Sequence, residues 1–377
     1  MLINEITLKN LSLLALSNDE AQLIQVLDTA DLSHVFELAV CHGLVYLVHN
    51  NLKRHLPSVN SNLSLSDFLQ KLAGVYRQAE IVTQFVDASA ISVLQALHKK
   101  GIDVVVLKGF SLAYQLYTTP TERPKTDIDI LIHGPDQAKL QTIFEDLGFH
   151  NPRGWQPKAI INQFSMKKQL SKGLNVYFDV HLKISNDKRI EQIMTYQELV
   201  TCTNTKTIDG VLLIGRPLAL IHAVLHLLHH RAQGDLVKLI WHYDIYLLIN
   251  TFSSVESAQL LILANQKKLN KILLYCISLT QEYFDSEQIR ALIIKLAAAN
   301  LDEHYDYLLM NENGFKSGWG QIKATKGIHK KISFIRETLF PPAAEIHIKY
   351  GTNSKQPLAY LYLKRICGGW LKAFKRP

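Results

Sequence analysis

Apolar residues in the first quarter of the chain recur at helical spacing. Val26 and Leu27, for example, lie three and four positions after Leu23, so the three residues share one face of a helix. Asp31 precedes another such run, and its carboxylate can accept hydrogen bonds from the unpaired backbone amides of a first helical turn. We therefore expect a helical region over residues 1–98.

The pattern changes at Gly101. Residues 102–107 (IDVVVL) form a β-branched run that is too short for a helix and typical of a buried parallel strand, and Lys108 and Gly109 follow at once. A segment with helical spacing and a loop punctuated by prolines come next. Residues 127–132 (DIDILI) then alternate acidic and aliphatic side chains before an aliphatic run, which predicts a second strand.

Two further strands are predicted over residues 160–168 and 174–182, joined by a short turn. In the second of them, Asp179 and His181 alternate with apolar residues and therefore point to the opposite face. From residue 188 onward the apolar positions return mostly to helical spacing. The chain as a whole predicts an α+β fold with a small mixed β-sheet.

We divide the 377 residues into three parts on this basis. A helical N-terminal region spans 1–98, a mixed-sheet core spans 99–187, and a helical C-terminal region spans 188–377. The length suits a catalytic domain of about 150 residues together with at least one further domain. We expect the C-terminal helices to cover a cleft beside the sheet.

Composition and cysteine usage favour a cytoplasmic globular protein. Apolar residues make up 47% and charged residues 20% of the chain, so long disorder is not expected. The N-terminus lacks the pattern of a signal peptide, and no apolar run has the length of a membrane span, so we expect no stable membrane insertion. The four cysteines lie far apart without a CxxC pair: Cys41, Cys202, Cys276 and Cys367.

The charge of the chain gives only a weak indication of its partners. The formal net charge is +8 and the pI is about 9.1. Such an excess favours nucleotides, nucleic acid or an acidic membrane surface, although a solvated lysine-rich surface explains it equally well.

Asp127 and Asp129 carry the most specific candidate chemistry. Their side chains share a face of one strand, because side chains repeat every two residues along it. Two adjacent carboxylates repel each other unless a cation lies between them. Magnesium suits oxygen ligands and leaves positions for water and phosphate, and manganese is the alternative ion.

Asp179, on a neighbouring predicted strand, is the candidate for a third carboxylate. With it, Asp127 and Asp129 would form a two-metal site, in which one ion binds a triphosphate and the other activates an acceptor hydroxyl. Lys108 and Gly109 stand at the entry to a helix and are candidate phosphate ligands.

The segment VLKGFSLAYQLYTTPTERPKTDIDILI, followed by YFDVHLKI, resembles an uncharacterised bacterial nucleotidyltransferase family with an LKG, R, DIDLLV and DLH pattern. The likeness is best over residues 102–184. It continues in a histidine-containing helix (LALIHAVLHLLHH), in a helix that bears Asp244, and in a C-terminal segment around RETLFPP and YLYLKR. The family is placed in the polymerase-beta nucleotidyltransferase superfold by its Asp-x-Asp strand and its later aspartate.

This resemblance implies transfer of a nucleoside monophosphate from a nucleoside triphosphate to an acceptor, with Asp127, Asp129 and Asp179 as the catalytic, metal-binding carboxylates. Typical members of the superfold have a Gly-Ser pair shortly before Asp-x-Asp. Here a Lys-Gly pair stands in that place and seventeen residues separate it from Asp127, so Ser111 is the candidate for the role of the missing serine.

Arg123 and His181 are further candidate ligands. The planar guanidinium of Arg123 suits phosphate oxygens, although a solvated loop arginine is the alternative. His181 shares a face with Asp179 and is a candidate to orient a phosphate or the acceptor.

Two other features have simpler interpretations that we favour. His222, His226 and His230 are spaced four residues apart, which suits zinc, but no HExxH glutamate accompanies them. We expect them to bond to substrate or within the core. The basic, aromatic tail AYLYLKRICGGWLKAFKRP is compatible with membrane-surface or RNA binding, whereas packing on its own domain is the simpler expectation.

Two other functions fit the same residues. One is a catalytically inactive nucleotide-binding or regulatory protein, against which the intact carboxylates argue. The other is a toxin-like enzyme that modifies RNA or protein, which the basic charge permits. The pattern leaves open the identity of the triphosphate, the acceptor (small molecule, RNA or protein) and the oligomeric state.

Overall fold

A computed structural model describes most of the chain. The described residues are 5–56, 63–152, 154, 160–204, 208, 210–299, 301, 305–309, 314–341, 343–350 and 357–365. Most of the basic tail, residues 366–377 with Cys367, lies outside them.

Five helices form the N-terminal region. Asp19 and Asp31 cap the second and third of these helices by accepting hydrogen bonds from backbone amides of the first turn, which confirms the helix start predicted at Asp31. Gly43 ends the third helix at a φ of +74°, a conformation that favours glycine. The helices are α1 (Glu5–Leu16), α2 (Glu20–Thr29), α3 (Leu32–His42), α4 (Val45–His55) and α5 (Leu63–Lys99).

A six-stranded mixed sheet follows, in the order β3-β4-β2-β1-β6-β5. The pairs β2–β4 and β1–β6 are parallel, and the other three are antiparallel. The strands are β1 (Val104–Val106), β2 (Ile128–Ile132), β3 (Gln163–Ser171), β4 (Leu174–His181), β5 (Thr203–Asn204) and β6 (Leu212–Ile214), and the helices between them are α6 (Lys108–Leu116), α7 (Gln137–Asp146) and α8 (Tyr196–Thr201).

The rest of the described chain is helical. Within it the structure gives α9 (Arg216–Gln233), α10 (Leu239–Thr251), α11 (Ser254–Lys267), α12 (Asn270–Gln281), α13 (Glu287–Ala297), α14 (Gly314–Ala324), α15 (Ile328–Leu339) and α16 (Ala343–Tyr350). Among the described residues, no single helix is long and apolar enough to cross a bilayer. Helices α10 and α11 reach that length only as a pair, with a bend of 120° between them.

The two faces of the sheet pack against different helices. Val104 and Val106 point into a cluster with α5 and α7, whereas Val105 between them points into a cluster with α9, α10, α12 and α13. This alternation follows from the two-residue period of a strand. Leu239 and Ile240 of α10 belong to a third cluster, formed with α1 to α5. Helix α10 therefore joins the N-terminal helices to the rest of the molecule.

The predicted α+β fold is confirmed, and the four predicted strands correspond to β1 to β4. The sheet extends past residue 187, where the predicted core region ends, because β5 and β6 belong to the same sheet and β6 pairs directly with β1. These two strands have two and three residues. Segments this short, of which β5 consists of a threonine and an asparagine, show no periodicity by which a strand can be recognised.

Candidate active site

The central parallel pair of strands brings two of the predicted carboxylates together. Asp129 lies opposite Asp179 in the register of β2 and β4. Asp127 directly precedes β2, two residues before Asp129. Because neighbouring parallel strands present paired residues on the same face, Asp129 and Asp179 lie side by side.

Asp129 is the centre of a buried polar cluster. Its Oδ1 lies 2.7 Å from Lys108 Nζ and 2.8 Å from Nε2 of His181, and its side chain is 7% exposed. Burial would raise the pKa of Asp129, but the adjacent Lys108 and His181 hold that pKa well below its usual range. Asp129 is therefore a carboxylate at neutral pH.

Lys108 has an unusual backbone conformation. It follows β1 and begins α6, and its φ of +46° lies in the left-handed region that β-carbon sterics disfavour. Strained residues of this kind concentrate at functional sites, where the surrounding structure imposes them. This backbone conformation forms the turn from strand to helix, after which Lys108 Nζ lies beside Asp129. No sequence pattern indicated the positive φ of Lys108.

Asp127 and Asp179 complete the acidic group. Burial and the nearby charges of Asp129 and Asp179 raise the pKa of Asp127 to about 6. Asp179 Oδ1 accepts a hydrogen bond of 2.6 Å from Ser165 Oγ, which lies opposite it in the antiparallel β3–β4 pair. Ser165 was missed by sequence reasoning, although the register of the predicted hairpin would have indicated it.

The donor set fits magnesium when substrate phosphates complete the coordination. Among the residues that the structure describes, no three His, Cys, Asp or Glu side chains converge as a ready metal site. Magnesium, however, is usually bound by one or two carboxylates, water and phosphate. Asp127 and Asp129 supply such a pair. Burial and the charges of Asp129 and Asp179 raise the pKa of Asp127, and a divalent cation would relieve this repulsion.

A small cleft, partly open to solvent, lies next to this group. Lys108 and Gly109 at the start of α6 form one part of its wall. The remaining lining comes from α6, α9, α10 and the loop before β2: Leu112, Arg123, Ala219, His222, Ala223, His226, Trp241 and Asp244. The C-terminal helices thus cover a cleft beside the sheet, as predicted.

Arg123 lines this cleft but is engaged by another side chain. Its Nε and Nη2 donate to both carboxylate oxygens of Asp244 at 2.7–2.9 Å, and Tyr117 Oη donates to Asp244 Oδ1 at 2.6 Å. The side chains of Arg123 and Asp244 are 9% and 3% exposed. The Arg123 guanidinium, which was expected to bind phosphate, therefore binds a protein carboxylate in this structure.

The loop that leads into β2 is held at a second point. Lys125 Nζ lies 3.0 Å from Asp87 Oδ2 of α5, with both side chains 6% exposed, and Tyr114 Oη donates to the same oxygen. Burial raises the pKa of Asp87 and lowers that of Lys125. Together with the Arg123 contact, this pair positions Asp127 two residues later.

Ser111 does not face the acidic group. It is fully buried in α6, and its hydroxyl accepts a hydrogen bond from Gln115 Nε2, which also donates to the backbone oxygen of Ile214. Gln115 thus links Ser111 of α6 to β6. The role of Ser111 towards phosphate stays a prediction.

The histidine face of α9 lies beside the cleft. Burial, followed by the charge of Lys108, lowers the pKa of His222 to about 3, and the pKa of His226 is lowered well below its ordinary value for the same reasons. His226 and His230 contact the ring of Trp241, and His230 Nδ1 lies 2.9 Å from Asp235 Oδ2. These contacts place the histidine face against Trp241 and beside the cleft.

The site thus combines carboxylates on and beside two paired strands, a lysine at a helix N-terminus and an adjoining cleft, an arrangement suited to binding phosphates. The chain belongs to the family described as uncharacterised nucleotidyltransferase, whose model matches residues 28–285. The match contains the carboxylates, Lys108 and the whole cleft lining, and it makes the protein a nucleotidyltransferase. No curated protein matches the sequence.

Proposed function

We propose that the enzyme moves a nucleoside monophosphate from a nucleoside triphosphate to an acceptor, in a magnesium-dependent reaction at Asp127, Asp129 and Asp179. The observation that carries the proposal is the pairing of Asp129 with Asp179 across two parallel strands, beside Lys108. The same pattern supports placement of the family in the polymerase-beta superfold.

Lys108 and Gly109 would bind the triphosphate. The Lys108 side chain is 26% exposed and lines the cleft, so an entering phosphate would give it a second anionic partner. The first backbone amides of α6 lack helical acceptors, and they favour an anion. A β-carbon on Gly109 would lie 3.6 Å from Arg123 Nη1 and from Lys125 Cβ. A methyl group at this position would therefore pack against both side chains at ordinary contact distance.

Asp127 and Asp129 would hold the metal, and Asp179 would face the acceptor. Magnesium, when bound, supplies charge neutralisation at the phosphates and a lowered pKa of the acceptor hydroxyl. Ser165 holds one oxygen of Asp179, which fixes the direction in which the carboxylate can accept a hydrogen bond from that hydroxyl. His181, the last residue of β4, forms a hydrogen bond with Asp129. The acceptor, whether small molecule, RNA or protein, is not specified by these contacts.

Calorimetric titration of the purified protein with each nucleoside triphosphate, with and without magnesium, tests the proposal. We expect metal-dependent binding that is lost in the Asp127→Asn, Asp129→Asn double variant. The matched control is Asp146→Asn, which changes an exposed carboxylate of α7. Equal binding by the double variant and the wild type would contradict the proposal.

A non-catalytic nucleotide-binding protein is the second candidate. It is favoured by the two donors that already occupy Asp129 Oδ1. Binding of a triphosphate with equal affinity in magnesium and in chelator would support this candidate. Strictly metal-dependent binding would count against it.

A further inference from the structure

Helix α15 buries one side and exposes an apolar stripe on the other. Phe334 is 4% exposed, whereas Ile328, Ile332, Ile335 and Leu339 are 66%, 57%, 40% and 37% exposed. With 3.6 residues per turn, these four side chains fall within an arc of about 60°. They form one continuous stripe along the helix, which lies beyond the family match that ends at residue 285.

Basic residues border this stripe. On the helical wheel, Lys331 and Arg336 lie on its two sides, and Lys326 and Lys330 add to the same short segment. Four cations against one acid, Glu337, give residues 326–339 a net charge of +3. The one acid lies on the packed side, where it accepts a hydrogen bond from Ser333 Oγ.

This combination matches an anionic lipid surface. An interfacial helix places aliphatic side chains among the acyl chains and directs lysine and arginine towards the headgroups. Nucleic acid would contact the cations but offers no aliphatic surface for the isoleucines. On the neighbouring helix α14, Trp319 is 54% exposed and Lys323 Nζ lies 5.7 Å from its ring centroid. Tryptophan favours the membrane interface.

The packed side of α15, opposite the stripe, is connected to the carboxylate group through few residues. The Ile160 amide donates to Glu337 Oε2 at 3.2 Å. Three residues later, Gln163 pairs with His181 across β3 and β4, and His181 contacts Asp129. Docking through α15 would therefore hold the strand edge of the active site close to the bilayer surface.

We propose that α15 binds peripherally to anionic membranes, with Ile328, Ile332, Ile335 and Leu339 entering the interface and Lys331 and Arg336 contacting acidic headgroups. The binding uses none of the carboxylates or cleft residues. It stands whether or not the proposed transfer reaction is correct.

Co-sedimentation of the full-length protein with lipid vesicles tests the proposal. The probe is phosphatidylcholine vesicles with and without phosphatidylserine, and the variant is Ile332→Glu, Ile335→Glu. The matched control is Ile262→Glu, Ile294→Glu, two isoleucines that are 56% and 69% exposed on α11 and α13. We expect the stripe variant to bind phosphatidylserine vesicles at least about tenfold more weakly. The control variant should bind like the wild type.

Several results would overturn the proposal. They are failure of the wild type to sediment with phosphatidylserine vesicles, an equal loss in the control variant, or unchanged binding in the stripe variant. Undiminished binding by Lys331→Glu, Arg336→Glu would rule out an anionic surface as the partner. If light scattering without vesicles shows that Ile332→Glu, Ile335→Glu dissociates a dimer, a second copy covers the stripe. Because all substituted residues are partly or largely exposed, circular dichroism should show every variant folded.

Discussion

Two buried ion pairs border the same cleft, and they differ in how firmly each is held. Arg123 and Asp244 share three hydrogen bonds that use both carboxylate oxygens, and Tyr117 adds a fourth. Lys108 reaches a single oxygen of Asp129, remains 26% exposed and starts from a strained backbone. The first pair is built to join α10 to the loop before β2. The second can exchange a protein partner for a ligand.

Asp244→Ala should give the largest loss of stability. It leaves the Arg123 guanidinium buried without a carboxylate, and breaking such a pair typically costs about 3–5 kcal/mol. Urea unfolding monitored by circular dichroism measures the change. Asp235→Ala is the control, because its pair with His230 is half-exposed and should be worth less than about 1 kcal/mol. A similar small loss in both variants would mean that the Arg123 pair is not structural.

Acid should destabilise the α10 side of the cleft through His242. This imidazole contacts Thr280 Oγ1, and burial, followed by the charges of Arg231 and His42, lowers its pKa to about 3. The unfolded chain, with an ordinary histidine pKa of about 6.5, binds the proton more readily. The folded protein therefore has its full free energy of unfolding, as far as His242 is concerned, above pH of about 6.5. It loses part of this free energy as pH falls towards about 3.

His242→Gln removes this proton and checks the effect. Between pH of about 7 and 4, the wild type should lose more free energy of unfolding than the variant, by up to roughly 3 kcal/mol. Urea titrations at a series of pH values measure the two slopes. Parallel pH profiles would show that His242 takes up its proton without unfolding the protein.

Lys108→Met should separate function from stability. His181 still contacts Asp129 and the site is partly open, so we expect a stability loss of only about 1–2 kcal/mol, below that of Asp244→Ala. Triphosphate affinity should fall at least about tenfold, because the cation at the helix entry is removed. Paired unfolding and calorimetric titrations measure both quantities. A loss of stability that equals that of Asp244→Ala would remove the contrast between the two pairs.

Lys268→Gly should give the smallest effect and calibrates the backbone strain at Lys108. Lys268 is exposed at the end of α11 with a φ of +56°, the other positive φ of a non-glycine residue in the described chain. Glycine tolerates this conformation, so unfolding should require about 0.5–1 kcal/mol more free energy. Lys108→Gly would relieve the same strain but lose the contact with Asp129. A net gain of stability there would show that the strain outweighs the ion pair.

Much of the site could be predicted because its residues are close in sequence or share a strand. The two-residue period placed Asp127 with Asp129 and Asp179 with His181 before any contact was known. Helix ends were readable for the same reason, since capping residues act within one turn. Roles in metal and phosphate binding remain predictions.

The partners of the charged groups were not predictable in this way. Arg123 meets Asp244 from 121 residues away, and Lys125 meets Asp87 of α5. Ser111, a plausible phosphate ligand by position, is buried against Gln115. The spacing of residues in the sequence predicts which face of an element a side chain occupies. It does not predict which distant element packs against that face.

The sequence by itself determined the helices, strands β1 to β4 and the acidic positions, because each depends on a local pattern of side chains. Tertiary structure alone decided that β2 lies between β4 and β1, so that Asp129 stands beside Asp179. It also decided that Lys108, rather than Arg123, is the cation at the carboxylates. The physical reason is that burial makes each buried charge require a partner, and only the packing of distant elements determines which partner is within reach.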